Sequence, residues 1–519
     1  LRILVLRLEF QPDEDTRTTG DGSFDLRDLE TFRAEEGHDV DATPHDRAFT
    51  GRHLRALNNY WWAMSGGRLS IAADIFPTGN TEAYRLPREM AHYSFETDLA
   101  GIEEALEALA VDAFGAAEAD TSTIPWPLYD AFVLFHAGAD WQGDAVGARD
   151  TPADLPTAWV RLGEPVRAGG RDIHDLTIVP ETVSQDGIIG AINGVFAHEF
   201  GHQLGLPDLY DTTGFETATG LFALMDSGGD TGGVLDDFYV WGILPSALSA
   251  WERDWFGWAE RIEVGPGESV DLVASTAIAG VHSPPTGSNV AVVRVGEEQS
   301  FLVEYRSDDL DGDPSVSLFW EDGVIDGTGA IIGEEKVRTY EYDALLPASG
   351  ILIWHLDEAV AGADPDGNGL SNFEENTLQG DRLRRFLDLE EADGLQELGW
   401  VPGYLGIAED FWLPDPEGSD TFGPRTAPAT DSWSGAATGL ELSIGDHASP
   451  LAMRLTVGNR SDLSGWAAPL TDPAPGISVP WMIDPDGDGE PVVAVLDGVG
   501  GLHLFDPDGT PAAGPNPVW

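Results

Sequence analysis

The stretch from Gly194 to Asp208, GVFAHEFGHQLGLPD, constrains this chain more than any other. Residues four apart on an α-helix share one face, so His198 and His202 point the same way and can hold one ion through their ring nitrogens. Glu199 sits beside His198, placed to touch a water on that ion rather than the ion itself. Gly205, three residues past His202, permits a positive φ, so the helix can stop and the chain can turn. Pro207 stiffens the turn. Asp208 then returns beneath the same ion as a third ligand. Two histidines and one carboxylate leave a tetrahedral zinc with one open position, the mark of a catalytic site. Asp211 and Glu216 are the fallback third ligands. Further on, LFALMDSGG supplies Met225 for a turn beneath the metal.

Composition allows this. The chain has 519 residues and 42% hydrophobic content, with 17 Trp and 22 Phe, enough for real cores. Cysteine is absent, so metal ligands must be His, Asp or Glu. With 27 basic and 91 acidic residues the net charge is −64, which repels nucleic-acid phosphate and anionic lipid. No apolar run is long enough to span a bilayer as a helix, so no membrane insertion is expected. Residue 1 is Leu and the first residues lack a signal peptide's pattern, so the chain is expected to be a piece of a longer precursor.

RILVLRLEF (2–10) reads as a strand, HLRALNNYWWAMS (53–65) as a helix, and IEEALEALAVDAFGAAEA (102–119) as an amphipathic helix. YDAFVLFHAGAD (129–140) is a buried strand. LSAWERDWFGWA (248–259) is a last helix ending near Gly257. SVDLVAS, NVAVVRV, SFLVEYR, GILIWHL and LELSIGD follow as short strands between Gly, Pro and Asp turns. The expected fold class is α+β: a catalytic domain over 1–262, a mostly antiparallel β-rich domain over 263–458, and a linker with one partial propeller-type repeat over 459–519. A single repeat cannot bury its own faces, so truncation after Trp519 is expected.

HEFGHQLGLPDLYD, LMDSGG and AWERDWFGW resemble the immune inhibitor A family of secreted bacterial zinc metalloproteases. HLRALNNYWWAMSGGRLSI and YDAFVLFHAG fit its upstream half; FLVEYR, GILIWHLDE and LDLEEADG fit its downstream half. The resemblance covers residues 1–458 and adds a repeat of FG-GAP type at the C-terminus. It implies a metzincin-like fold, zinc held by His198, His202 and Asp208, Glu199 as general base, Met225 as the Met-turn, polypeptide substrates and an extracellular location. Many metzincins place a histidine where Asp208 stands, and some a tyrosine where Ser227 stands, so the oxyanion-stabilising side chain is unassigned. A monomer is expected. Two other functions fit the motif: a calcium-stabilised surface or adhesion protein with a vestigial protease domain, and a zinc hydrolase of another amide or ester bond.

Residues 364–375, DPDGNGLSNFEE, match an EF-hand calcium loop at every position. Asp364, Asp366 and Asn368 stand at positions one, three and five, Gly369 at six, the Leu370 carbonyl at seven, Asn372 at nine and Glu375 at twelve. A strand precedes it instead of a helix, so a structural clip is expected. The tail's DPDGDG, with Asp484, Asp486 and Asp488, lacks closing carboxylates because Val492 and Val495 hold positions nine and twelve. His136 is expected to be structural and Glu181 a turn carboxylate. His355 and Asp357 alternate on a strand without a catalytic role.

Overall fold

Alternating side chains of one strand feed two separate cores, and this organises the first half of the molecule. A computed structural model describes residues 1–94, 101–120, 124–144, 150–235, 237–313, 315–332, 335–414 and 420–459, with three short tail strands. Strand β1 (Arg2–Glu9) lies mid-sheet, and its buried residues are apolar on both faces, as a doubly covered parallel strand requires, except for Arg7, whose guanidinium donates to Thr50 Oγ1 and His45 O. The sheet order is β2 (Ala72–Phe76), β1, β4 (Ala131–Ala139), β6 (Arg171–Thr182), β5 (Ala158–Ala168), and β3 (Tyr84–Arg85) also pairs with β1. All pairs are parallel except β5 with β6. Ile3, Val5, Val133 and Phe135 face helices α2 (Arg47–Met64) and α4 (Ile192–Gln203). Leu4, Leu6, Phe132 and Leu134 face α3 (Ile102–Ala119). Helix α1 (Leu29–Glu36) lies outside these layers. A small sheet of β7 (Ile189–Gly190), β9 (Phe238–Trp241) and β8 (Gly233–Leu235) follows.

Two helices differ in extent from the sequence reading. Asp46 caps α2 through the amides of Ala48 and Phe49, so the helix starts at Arg47 despite Gly51. Helix α5 (Ala250–Trp255) is short, opened by a Ser249–Glu252 capping box and followed by Gly257 at φ 66°.

The second half is two packed sheets. One has the order β10 (Arg261–Glu263), β12 (Val290–Arg294), β13 (Gln299–Arg306), β17 (Gly350–Asp357), β18 (Leu387–Leu389). Its pairs are antiparallel except β10 with β12. The other has β11 (Glu268–Val273), β21 (Ala452–Asn459), β20 (Leu440–Ser449) and β19 (Thr421–Phe422), all antiparallel. A third sheet joins β14 (Leu318–Glu321), β15 (Val324–Ile332) and β16 (Glu335–Arg338), and a one-turn helix α6 (Glu358–Ala361) follows β17. The tail strands β22 (Trp481–Ile483), β23 (Val492–Leu496) and β24 (Leu502–Phe505) form an antiparallel set. Asp484, Asp486 and Asp488 lie outside the described residues. The molecule is thus mixed α+β with several sheets.

Strand β13 faces two ways. Phe301, Val303 and Tyr305 pack with Leu442, Ile444 and Leu455 of the other sheet. Leu302, with Leu352 and Trp354 of β17, joins the same cluster as Phe196 and Phe200 of α4. One hydrophobic core therefore runs across residue 262. Trp354 is fully buried in it, and its Nε1 donates to Glu304 Oε1 at 2.9 Å. Trp354→Ala is expected to cost about 3–5 kcal/mol. Unfolding in guanidinium, followed by ellipticity and tryptophan fluorescence, should shift as one transition. An unshifted transition for residues 1–262 would show that this core does not couple the halves.

Candidate metal centre

Helix α4 turns its apolar side chains Ile192, Phe196 and Phe200 into the core and carries His198, Glu199 and His202. Its first amide, Ile192 N, donates to Oδ2 of the buried Asp41 at 2.8 Å, a cap supplied from far away in sequence. The helix stops as the sequence requires. Gly205 adopts φ 101°, its amide donates to the His202 carbonyl at 2.9 Å, and Leu206 N donates to Gly201 O at 3.0 Å. The chain reverses and delivers Asp208 beneath the histidines.

The Oδ1 atom of Asp208 lies 3.1 Å from His198 Nε2 and 3.2 Å from His202 Nε2. One ligand atom from each of the three residues lies within 4.8 Å of the others. The far side of each ring is fixed. His198 Nδ1 faces the Leu224 carbonyl at 2.9 Å, and His202 Nδ1 faces the Leu206 carbonyl at 2.8 Å. A carbonyl can only accept, so each Nδ1 carries a hydrogen and each neutral ring presents a bare lone pair at Nε2. Two lone pairs and a carboxylate oxygen at these separations repel unless a proton or a metal cation sits among them. The donor set fits a divalent metal of the zinc class. The electrostatics agree in sign. Burial opposes charge on His198, yet Asp208 and Glu199 push its pKa up to about 10. Asp208 is itself buried, and the two imidazoles still hold it well below the usual carboxylate range.

Met225 is fully buried beneath this cluster. A Cβ added at Gly201, which precedes His202, would meet the Met225 sulfur at 2.6 Å, so any larger residue there would have to displace the Met225 side chain. The Met225 carbonyl accepts from Leu209 N at 2.7 Å, and its amide donates to Glu252 Oε1 at 3.0 Å. Asp226 accepts from the amides of Ala218 and Thr219 at 2.7 and 2.6 Å, while Ser227 Oγ donates to it. Strand β13 reaches the same floor. Buried Arg306 pairs with Asp343 and donates to Phe222 O at 2.9 Å, and Glu304, paired with Arg253, accepts from Ala250 N at 3.0 Å.

Glu199 Oε2 accepts from Trp159 N, on edge strand β5, at 2.6 Å. Burial, and secondarily the charge of Asp208, push its carboxyl pKa up, against the two histidines. Tyr210 was not singled out from the sequence. Its ring lies 6.4 Å from that of His198, and burial together with Asp208 and Glu199 raises its phenol pKa. The readable signal was an aromatic hydroxyl two residues past the third candidate ligand, inside the returning turn.

The other candidates fall elsewhere. Asp211 accepts from Thr213 N at 2.9 Å and is bridged to Glu216, and neither joins the histidines. His136 is buried in β4 with Nδ1 against the Ala137 carbonyl. Glu181 stands in strand β6 rather than in a turn, because its buried carboxylate accepts from Gly138 N, Asp25 N and His45. His355 faces Glu390, and Asp357 caps α6 and binds Arg384. In the loop 364–375, Asp364 accepts from Gly367 N and Gly369 N, and Asn368 Nδ2 donates to Asp366 and Glu375 at 3.1 and 2.5 Å. Gly369 has φ 93°. Asn372 turns inward to the Val360 carbonyl, and Leu370 is exposed. Asp364, Asp366 and Glu375 are not among the acidic groups that converge within 4.8 Å in the described residues. The one-turn helix α6 separates the loop from β17.

Residues 128–260, from just before β4 to just past α5, match the family model described as the catalytic domain of immune inhibitor A peptidase M6. The chain is 27% identical over 284 residues to the pre-pro-metalloprotease PrtV of Vibrio cholerae serotype O1 (strain M66-2), covering 49% of this chain and 29% of that protein. It is 27% identical over 225 residues to immune inhibitor A of Bacillus thuringiensis subsp. alesti, covering 39% of this chain and 30% of that protein. The chain thus spans less than a third of the length of these relatives. The part of the chain that brings His198, His202 and Asp208 together is similar in sequence to the catalytic domain of a metallopeptidase family.

Proposed function

We propose that the chain is a secreted zinc endopeptidase of metzincin type, with His198, His202 and Asp208 as ligands and Glu199 as general base. The reading rests above all on the three acceptor atoms that converge with both Nδ1 positions already engaged. Zinc at that point would acidify a water and polarise a peptide carbonyl. Glu199 takes the proton and hands it to the leaving amine, and its raised pKa suits both directions of transfer. Trp159 N holds one carboxylate oxygen and leaves the other for the proton. Strand β5 is the sheet edge beside Glu199, so an extended polypeptide can lie along it and pair through its backbone. The phenol of Tyr210 donates to the carbonyl oxygen as charge develops there. Secretion follows the family resemblance, and among the described residues no helix is long and apolar enough to cross a membrane. In this reading residues 1–262 form the catalytic domain and 263–458 the β-rich domain, with 459–519 as linker and partial repeat.

Four variants test these roles. His202→Ala should lose stoichiometric zinc by metal analysis, while Glu199→Gln keeps it and loses about 10²–10⁴ in casein hydrolysis. Zinc retained by the first, or near wild-type turnover in the second, rejects the mechanism. Asp208→Ala separates Asp208 from the fallback ligands. Tyr210→Phe should lower kcat by about 10²-fold with KM little changed; an unaltered kcat removes the phenol from the reaction.

We also propose that residues 364–375 bind one calcium ion through Asp364, Asp366, Asn368, the Leu370 carbonyl and Glu375. The twelve-residue order and the left-handed Gly369 support this. The ion would stiffen an exposed loop. Thermal unfolding against calcium concentration should show stabilisation in the wild type that Glu375→Ala lacks; equal stabilisation in both would place the ion elsewhere.

A further inference from the structure

The carboxylate that faces both histidines is gripped by a residue 168 positions away. Asn376 Nδ2 donates to Asp208 Oδ2 at 2.5 Å, and Asn376 Oδ1 accepts from Asp208 N at 2.7 Å. The side-chain amide thus closes a ring with the backbone and carboxylate of one residue. Asp208 Oδ2 is fixed by this bond, which leaves Oδ1 turned to the two Nε2 atoms. Asn376 is itself held. It sits at φ 58°, a left-handed conformation that asparagine tolerates better than most residues. Its carbonyl accepts from Thr212 Oγ1 at 2.7 Å, tying it to the far end of the same returning turn. Residue 376 lies outside the stretch 128–260 that resembles a peptidase catalytic domain.

We propose that Asn376 is a positioning residue for the metal centre, so that the site is complete only when the β-rich half is docked. The inference rests on the assignment of His198, His202 and Asp208 as zinc ligands. Physically, a lone carboxylate can rotate about its Cβ–Cγ bond and present either oxygen, edge or face. Asn376 removes that freedom before metal arrives, and its donated hydrogen bond withdraws charge from Oδ2 while Oδ1 keeps its lone pairs for the ion. The cap Gly205 brings the backbone of Asp208 to the right place, and Asn376 sets the oxygen.

The test uses the whole chain and zinc alone, read by competition with a chromophoric chelator. Asn376→Asp keeps the size, the backbone contacts and the acceptor for Asp208 N, and replaces only the donor to Oδ2 by a carboxylate. Asn376→Gly keeps the left-handed backbone and removes the amide. Both variants should bind zinc about 10–100-fold more weakly than wild type, a larger loss than the fall in stability of the zinc-free protein accounts for. Wild-type zinc affinity in Asn376→Asp overturns the proposal. So does weakening in Asn376→Asp with none in Asn376→Gly, because repulsion alone would then explain it. A fall in affinity matched by an equal fall in zinc-free stability also overturns it, since the role would be structural. A wild-type chain that binds no zinc would instead remove the metal centre itself.

Discussion

Two imidazole nitrogens and one carboxylate oxygen converge on a single point, and much of the molecule holds them there. Left free, His198 and His202 would turn their rings, and Asp208 would swing to solvent. Each freedom is removed by a different part of the chain. The Leu224 and Leu206 carbonyls fix the tautomers and tilt of the two rings. The left-handed Gly205 fixes the path to Asp208. Met225 lies under Gly201 and keeps the helix from settling closer to its floor.

That floor is in turn carried by the β-rich half. Glu304 and Arg306 are fully buried charges on β13, and isolated charges of this kind would be costly. They are tolerated because every arm is used. Arg253 and Asp343 supply opposite charge, while Ala250 N, Trp354 Nε1, Phe222 O and Ala247 O supply hydrogen bonds. Phe222 and Ala247 flank the Met225 segment, so this buried network fixes the loops beneath the histidines. A strand that reads from its composition as ordinary core is also the support of the site.

What was legible in the sequence was local. The i, i+4 histidines, the glycine three residues on and the aspartate six residues on all act within one helix and one turn, and the structure assembles them as spaced. The strands SFLVEYR and GILIWHL were legible because short β-type runs stand between Gly, Pro and Asp turns. Helix α2 began earlier than read because its cap, Asp46, precedes a segment whose Gly51 and Thr50 weaken helical periodicity. Strand β21 was missed, since Arg454 and Thr456 interrupt LAMRLTV on its open face. Asn376, Asp41 and Glu304 carry no local signal at all. Asn376 acts on Asp208, Asp41 on Ile192 and Glu304 on Ala250, which lie 168, 151 and 54 residues away, and only the fold makes them neighbours.

In the proposed zinc site, an aspartate as third ligand fits the charge of its surroundings. Asp208 and Glu199 bring two carboxylates into one poorly solvated cleft, and burial alone would push both toward the neutral form. A neutral Asp208 would carry a proton on the atom that must stay a ligand. One divalent cation would balance both carboxylates at once, after which neither would need a proton to remain buried. A histidine in place of Asp208 would leave that cation one negative charge short. With the cation bound, an aspartate would therefore hold the cleft near electrical neutrality in a chain whose net charge is −64, where a further uncompensated carboxylate would be opposed by every acidic group nearby.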